Sequence, residues 1–388
     1  MDKMSKIYGD RTVLEVAIDR IEYLFNEFEN VIVNFSGGKD STIVLNLALI
    51  VAEKMNSLPL SVFFLDQELE WGATIEYMRR VMSDDRVKPY WYQIPFRFPN
   101  ASSFSGTSLT LWDSDKELEW IRPKELISIK ENPIKSVRFD KLSDQFYTLL
   151  DKIPRLVFNK QSFCALTGLR TEETPARYQG LTSSLTYKWI TWGKVKSKAR
   201  EQYSFAPIYD WSYTDVWKAI YDNQWDYCEL YDRMYRYGTP IQKMRLSSLV
   251  HEHAVTATLM TVHEIEPDTW ERIINRVSGV NTVGKLSKDW KAPTELPFMF
   301  NTWHEYRDYL FEKLIQDSQA RSKIQKYMEA DDRLFISEIA DKVAKMHIQM
   351  ILTNDVGGTD RDLFRARNGI YLESYTGIRR SPCHVSAN

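Results

Sequence analysis

Six consecutive residues carry most of the chemistry legible in this chain: Ser36-Gly37-Gly38-Lys39-Asp40-Ser41. Glycines let a backbone approach an anion, and N–H groups at a helix start point at it. The helix dipole adds about 0.3–1 kcal/mol for a negative group there. Ser36, Ser41 and Thr42 offer hydroxyls, and Lys39 offers charge. The spacing differs from that of a Walker A loop, whose first glycine lies further from its Gly-Lys pair. A glycine pair alone would only mark a turn. A Ser-Gly-Gly-Lys-Asp-Ser run between a strand and a helix is the context that a phosphate site requires.

The flanking segments supply that context. Val31 to Phe35 is a short β-branched apolar run, as expected of a buried parallel strand, and Asp40 to Met55 reads as a helix. Before them, Val13 to Phe28 has apolar residues at helical spacing. After them, Leu60 to Leu65 reads as a strand, Trp71 to Met82 as a helix and Tyr90 to Ile94 as a third strand. This alternation predicts an α/β domain with a parallel sheet. The region from about 95 to 160 breaks the rhythm and reads as an insertion. Ser162 to Leu169 and Tyr187 to Trp192 resume as strands, and Thr214 to Tyr221 as a helix. Beyond Asn223 the pattern is helical, over Leu246–Thr261, Asp268–Val277, Trp303–Ile315 and Ile336–Leu352, with an irregular tail from Gly357. The expected organisation is a nucleotide-binding α/β domain over 1–225 and a mainly helical domain over 226–388.

In an open α/β sheet, ligands bind beyond the carboxyl ends of the strands. Ser36 and Asp66 follow predicted strands and Gly168 lies at the end of one, so all three are expected on one rim. Arg170 suits a bidentate phosphate contact, or else an ion pair with Glu172 or Glu173. Asp66 suits a ribose hydroxyl, Mg²⁺ or a helix cap, and Asp40 is a second candidate Mg²⁺ ligand. Arg177 is either a phosphate contact or surface charge. Lys194, Lys196, Lys198 and Arg200 alternate, and an extended segment would put them on one face. Such a face suits polyphosphate or nucleic acid, or guards a strand edge. His251 and His253 flank Glu252 at a spacing that does not put both rings on one helix face, which argues against a metal pair. Ser212 and Asp215 have the spacing of a capping box.

Phe35 to Ser41, FSGGKDS, resembles the PP-loop of the adenine-nucleotide α-hydrolase superfamily. Three further segments resemble the phosphoadenosine phosphosulfate (PAPS) reductase family within it. They are Phe64-Leu65-Asp66, the run Gly168-Leu169-Arg170 to Arg177 with Thr174 in place of a serine, and Pro207-Ile208-Tyr209-Asp210-Trp211 followed by Asp215-Val216-Trp217. The resemblance spans residues 10–225 and implies a Rossmann-like HUP fold binding ATP or PAPS. It implies nucleotide contacts at Ser36, Gly37, Gly38, Lys39, Asp40, Ser41, Asp66, Gly168, Arg170 and Arg177, with Lys39 and Asp40 in the chemistry. The later helical region resembles a prophage-encoded co-activator subgroup of the immunoglobulin-binding regulator A type, which implies a ParB-like nuclease partner.

The cysteines separate the chemistries within that family. Sulfonucleotide reduction needs a thiolate nucleophile, carried in the reductases by a C-terminal Glu-Cys-Gly-x-His. Here the tail reads Pro382-Cys383-His384-Val385, beside Arg379 and Arg380. With 3 cysteines, the chain by itself cannot supply a four-cysteine iron–sulfur cluster. Cys164 falls in an apolar strand and Cys228 in an aromatic segment. The inventory therefore favours cleavage of ATP at the α–β bond, by pyrophosphatase or adenylylating chemistry, over reduction. A nucleotide-responsive regulatory subunit is the alternative from another class.

Composition agrees with a globular protein. Of 388 residues, 51 are Lys or Arg and 53 Asp or Glu, so the formal charge of −2 excludes a strongly basic nucleic-acid coat. The most apolar stretch, Thr42 to Ala52, is too short to span a bilayer. With no apolar leader at the N-terminus, the expected address is the cytoplasm.

Overall fold

The computed structural model describes residues 9–100, 108–134, 145–182, 186–197, 201–246, 249, 255–277, 280, 293–334, 339–352, 355–358, 361–362 and 364–365. The chain forms two compact units, one comprising 1–99 and 108–280, the other 100–107 and 281–388.

The first unit is built on a seven-stranded sheet. Its strands are β1 (Val31–Asn34), β2 (Leu60–Leu65), β3 (Val87–Tyr92), β6 (Phe163–Leu166), β7 (Thr186–Tyr187), β8 (Ile190–Ser197) and β9 (Gln202–Phe205), in the order β3-β2-β1-β6-β9-β8-β7. The five strands from β3 to β9 run parallel, and β8 and β7 add antiparallel neighbours. The fold is therefore the α/β architecture expected from the alternating pattern, with helices following the sheet.

From β1 the chain moves outward through β2 to β3, then returns to lay β6 on the other flank of β1. The order reverses between β1 and β6, and such a reversal opens a crevice at the carboxyl ends of the two strands. The register, Val33 opposite Leu166, puts the loops after both strands at the same height.

Helix α1 (Val13–Glu27) starts in a capping box of Thr12 and Glu15 and buries Ala17, Ile21 and Leu24 at helical spacing. Helix α2 (Lys39–Lys54) is apolar nearly all round, from Ile43 to Ala52, and is accordingly buried. Helix α3 (Gly72–Met82) follows β2. Strand β3 starts at Val87, earlier than the apolar run suggests, because Pro89 is tolerated on a strand at the sheet's edge. The segment after it holds a hairpin of β4 (Phe96–Pro99) and β5 (Ser108–Leu111), a 3-10 turn (Ser114–Glu119) and helix α4 (Gln145–Val157). Helix α5 (Pro175–Thr182) precedes β7. Helix α6 (Tyr213–Asp222) starts in the Ser212–Asp215 capping box read from the sequence. Helices α7 (Leu230–Arg236), α8 (Val255–Ile265) and α9 (Pro267–Arg276) complete the unit. Of the helix predicted from Leu246, the described part is α8 from Val255, and Leu249 donates its N–H to the Leu69 carbonyl. Among the described residues, no helix is long and apolar enough to cross a membrane.

The second unit contains α10 (Trp303–Leu314), α11 (Ser318–Leu334) and α12 (Ala340–Leu352), around a core that includes Phe311, Ile315, Ile324, Ile348 and Ile351. Inside it, Asp331 is fully buried and accepts hydrogen bonds from His347, Arg361 and Arg365. Burial pushes the Asp331 carboxyl up, but these donors outweigh it and hold the group well below the usual carboxylate range. Its stabilisation is in force above the unfolded carboxylate pKa of about 3.9 and is lost as the pH falls further. Asp331→Ala strands two buried guanidiniums and is expected to cost about 3–5 kcal/mol. Chemical denaturation checks this, and a loss well under 1 kcal/mol would contradict it.

Candidate functional site

The loop after β1 turns through Gly37, whose φ of 74° lies in the left-handed region that favours glycine. Gly38 is the N-cap of α2 and has no side chain to bond the helix-start N–H groups. Ser41 Oγ donates to the Gly38 carbonyl at 2.9 Å and lies 3.2 Å from Ser36 Oγ. Thr42 Oγ1 donates to the same carbonyl at 3.0 Å. The hydroxyls thus rigidify the loop from within.

Lys39 and Arg170 are only 5% and 4% exposed, although both are cations. Lys39 Nζ lies 3.2 Å from Asp40 Oδ2 and donates to the Met244 carbonyl at 3.2 Å. Arg170 Nε reaches Asp40 Oδ1 at 2.5 Å, and its Nη1 approaches the Trp211 carbonyl at 3.3 Å and Glu172 at 3.4 Å. The ion pair with Glu172 anticipated for Arg170 exists, but the shorter contact is to Asp40. The structure thus brings Lys39, Asp40 and Arg170 together at the switch point.

Gly168 explains how. A Cβ at this position would lie 2.6 Å from both the Asp40 carbonyl carbon and the Ser41 nitrogen. The end of β6 therefore lies against the first turn of α2, an approach that only glycine permits. The Pro207–Trp211 segment braces the same corner. Thr171 bonds the Tyr209 carbonyl through its N–H at 2.9 Å, and Arg20 of α1 grips Asp210 with two bonds of 2.7 and 2.8 Å.

Asp66 follows β2 on the same rim, and both its oxygens are committed. Oδ2 accepts from Trp91 Nε1 at 2.8 Å and Gln93 Nε2 at 2.9 Å; Oδ1 accepts from the Glu68 N–H at 2.8 Å and Arg122 at 2.6 Å. Arg177 is half exposed on α5, 3.9 Å from Glu173. Lys194 and Lys196 lie on β8, where Lys194 pairs with Thr186 of the two-residue β7. Lys198, Arg200, His251, His253 and Cys383 lie outside the described residues. Cys164 is wholly buried, which pushes its thiol up; burial likewise pushes Cys228 up to about 11.

Four further residues belong here that local sequence reading did not single out. Tyr231 of α7 accepts the Lys39 N–H at 2.9 Å. Glu68 is fully buried and paired with Arg276 at 2.6 Å. Glu70 is 8% exposed, and burial, reinforced by Asp66 and opposed by Arg122, pushes its carboxyl up to about 8. The only local signal was the acidic run Asp66, Glu68, Glu70 directly after a strand.

Fold and site together define an α/β nucleotide-binding class of protein with a PP-loop at the switch point of its sheet. The phosphoadenosine phosphosulfate reductase domain model matches residues 30–237, more than half of the chain, and the chain belongs to that family. A domain of unknown function, DUF3440, matches residues 238–359. Uncharacterized protein YbdN of Escherichia coli is 29% identical over 279 residues, covering 70% of this chain and 67% of its own length. Uncharacterized protein MJ0973 of Methanocaldococcus jannaschii is 24% identical over 242 residues, covering 62% of this chain and 46% of its own, so this chain spans less than half of it. Among solved structures, PAPS reductase from Candida auris in a phosphate complex aligns at TM-score 0.32 and 16% identity, over 57% of this chain and 85% of that one. Candida glabrata FMN adenylyltransferase aligns at TM-score 0.35 and 12% identity, over 58% and 62%.

Two outcomes follow from the geometry. Gly168→Ala forces backbone apart at the loop and is expected to cost about 1–3 kcal/mol, read by thermal unfolding; an unchanged midpoint would refute the close approach. Glu70 has a folded pKa of about 8 against an ordinary value of 4.5, so its contribution is fully present below pH 4.5 and lost as the pH rises through about 8. Glu70→Gln is therefore expected to flatten the fall in stability across that window, as measured by denaturation at a series of pH values.

Proposed function

We propose that this chain binds an adenine nucleotide at the Ser36–Ser41 loop and cleaves ATP, supplied as its magnesium complex, between the α and β phosphates. The observation that carries the reading is the convergence of the glycine loop, the buried Lys39 and the buried Arg170 at the switch point of the sheet. A nucleophile attacks the α-phosphorus, and the bridging oxygen departs with pyrophosphate. The helix-start N–H groups and Lys39 stabilise the charge that builds on the leaving group. Water as nucleophile yields AMP; another acceptor yields its adenylylated form. Ser36, Gly37, Gly38, Ser41 and Gly168 shape the cradle, and Arg170 holds Asp40 in place.

A magnesium ion held by the protein does not fit this arrangement. Asp40 faces Arg170 and Lys39, and Asp66 already accepts four hydrogen bonds. Among the described residues, no group of three or more His, Cys, Asp or Glu is placed to hold a metal. Any magnesium in this reading enters as the nucleotide's counterion.

The thiol-dependent reductase alternative would depend on Cys383, since Cys164 and Cys228 are buried and held as thiols. A PAPS ligand, a cytoplasmic address, kinship with the prophage co-activator subgroup, a ParB-like nuclease partner and nucleic-acid contact through Lys194–Arg200 rest on the sequence resemblance and pattern.

Lys39→Ala combined with Ser36→Ala is expected to abolish calorimetric binding of ATP and pyrophosphate release while leaving the fold intact by circular dichroism. Cys383→Ser is expected to leave both unchanged. Wild-type release of sulfite from PAPS with thioredoxin, lost in Cys383→Ser, would replace this reading with the reductase.

A further inference from the structure

The phosphate loop is closed by its own chain. Tyr231 Oη accepts the Lys39 N–H at 2.9 Å and would lie 3.7 Å from a Cβ at Gly38. A phosphate oxygen held by the start of α2 would need that N–H. The Lys39 ammonium is parked as well: it donates to the Met244 carbonyl at 3.2 Å and lies 5.6 Å from the centre of the Tyr231 ring. Tyr231 is 3% exposed and Met244 is 2% exposed. One segment, 231–244, therefore sets a neutral oxygen on the backbone donor and another on the side-chain cation, which Asp40 also contacts at 3.2 Å.

That segment is held down by contacts at both ends. Trp217 packs edge-on against Tyr231, with ring centres 5.2 Å apart. Tyr77 of α3 donates to the Asp226 carbonyl at 3.1 Å, and Arg80 pairs with Asp226 at 2.8 Å. Beyond Met244, the Leu249 N–H bonds the Leu69 carbonyl at 3.2 Å. Burial pushes the Tyr231 phenol well above its ordinary pKa, so the occupying oxygen is neutral. It serves as a weak acceptor where an anion would be a strong one.

We infer that Tyr231 is a latch whose phenol oxygen stands in for a phosphate oxygen and is displaced when a polyphosphate enters. This rests on the phosphate-binding reading of the loop. The displaced contact is one neutral hydrogen bond, which in the free protein competes with the ligand for the same donor. Tyr231→Phe deletes that oxygen and leaves the Lys39 N–H without its partner in the unliganded state. A ligand oxygen then gains what the tyrosine had supplied, whereas loss of a purely structural tyrosine would lower stability without tightening binding.

The test uses the full chain and inorganic pyrophosphate, followed by calorimetry. Tyr231→Phe is expected to bind about threefold to tenfold tighter than wild type. Equal or weaker binding by the folded variant overturns the latch. A second measurement needs no variant. In wild type, hydrogen exchange with pyrophosphate present is expected to slow over 36–42 and to quicken over 230–236; slowing over 230–236 overturns displacement. Lys39→Ala separates the two levels of the argument. If it loses the binding that wild type shows, the loop reading stands whatever Tyr231→Phe does. If neither wild type nor Tyr231→Phe binds pyrophosphate or ATP, the loop reading fails and the latch fails with it.

Discussion

The close approach of Gly168 to the first turn of α2 is the constraint on which the site depends. It sets the end of β6 against the Asp40–Ser41 backbone, closer than any Cβ allows. Two residues further along, Arg170 is then within reach of Asp40, and its buried guanidinium is satisfied by Asp40, the Trp211 carbonyl and Glu172. A buried ion pair gains little over an apolar pair in stability, but removing one partner leaves a stranded charge. The Arg170–Asp40 pair therefore fixes where the loop lies more than it stabilises the fold. Its position at the reversal of strand order makes that fixing useful, because the crevice opens there.

A second set of buried charges plays the same positioning role for the loop after β2. Asp66, Glu68, Arg122 and Arg276 are nearly or wholly buried and bond one another, with Trp91, Gln93 and Trp112 as neutral donors. Glu68 adopts a φ of 59°, an uncommon conformation for a residue with a side chain. The Arg276 pair, at 2.6 Å, holds it there. Burial raises the Glu70 carboxyl to about 8, with Arg122 opposing the shift.

How much could be read from the chain follows from sequence distance. The strand, glycine loop and helix over residues 31–55 are local, and so is the capping box at Ser212; each was legible. The family resemblance was read from segments of the same local kind, and the family model matches residues 30–237. Gly168 was legible as a motif residue, but its reason, contact with a helix far earlier in the chain, was not. Tyr231 lies 192 residues from Lys39, and Arg276 lies 208 from Glu68; no periodicity reports such pairings. Helix α11 was missed because its buried stripe, Ala320, Ile324 and Met328, is narrow within a polar segment. Helix α7 was missed because its seven residues are too few for a pattern to emerge.

The occupied state of the loop bears on which anions it would accept. A ligand must replace the Tyr231 oxygen at the Lys39 N–H and the Met244 carbonyl at the ammonium. It must also offset the lost edge contact between Tyr231 and Trp217. Only the surplus over these lost contacts appears as affinity. A chain of phosphates that reached both the helix start and the lysine would replace both contacts, whereas a single phosphate that reached one would replace only that one. Under the phosphate reading, the protein's own oxygens thus act as a threshold that favours polyphosphates over monophosphates. Specificity of this kind comes from raising the cost of the wrong ligand rather than from improving contacts to the right one.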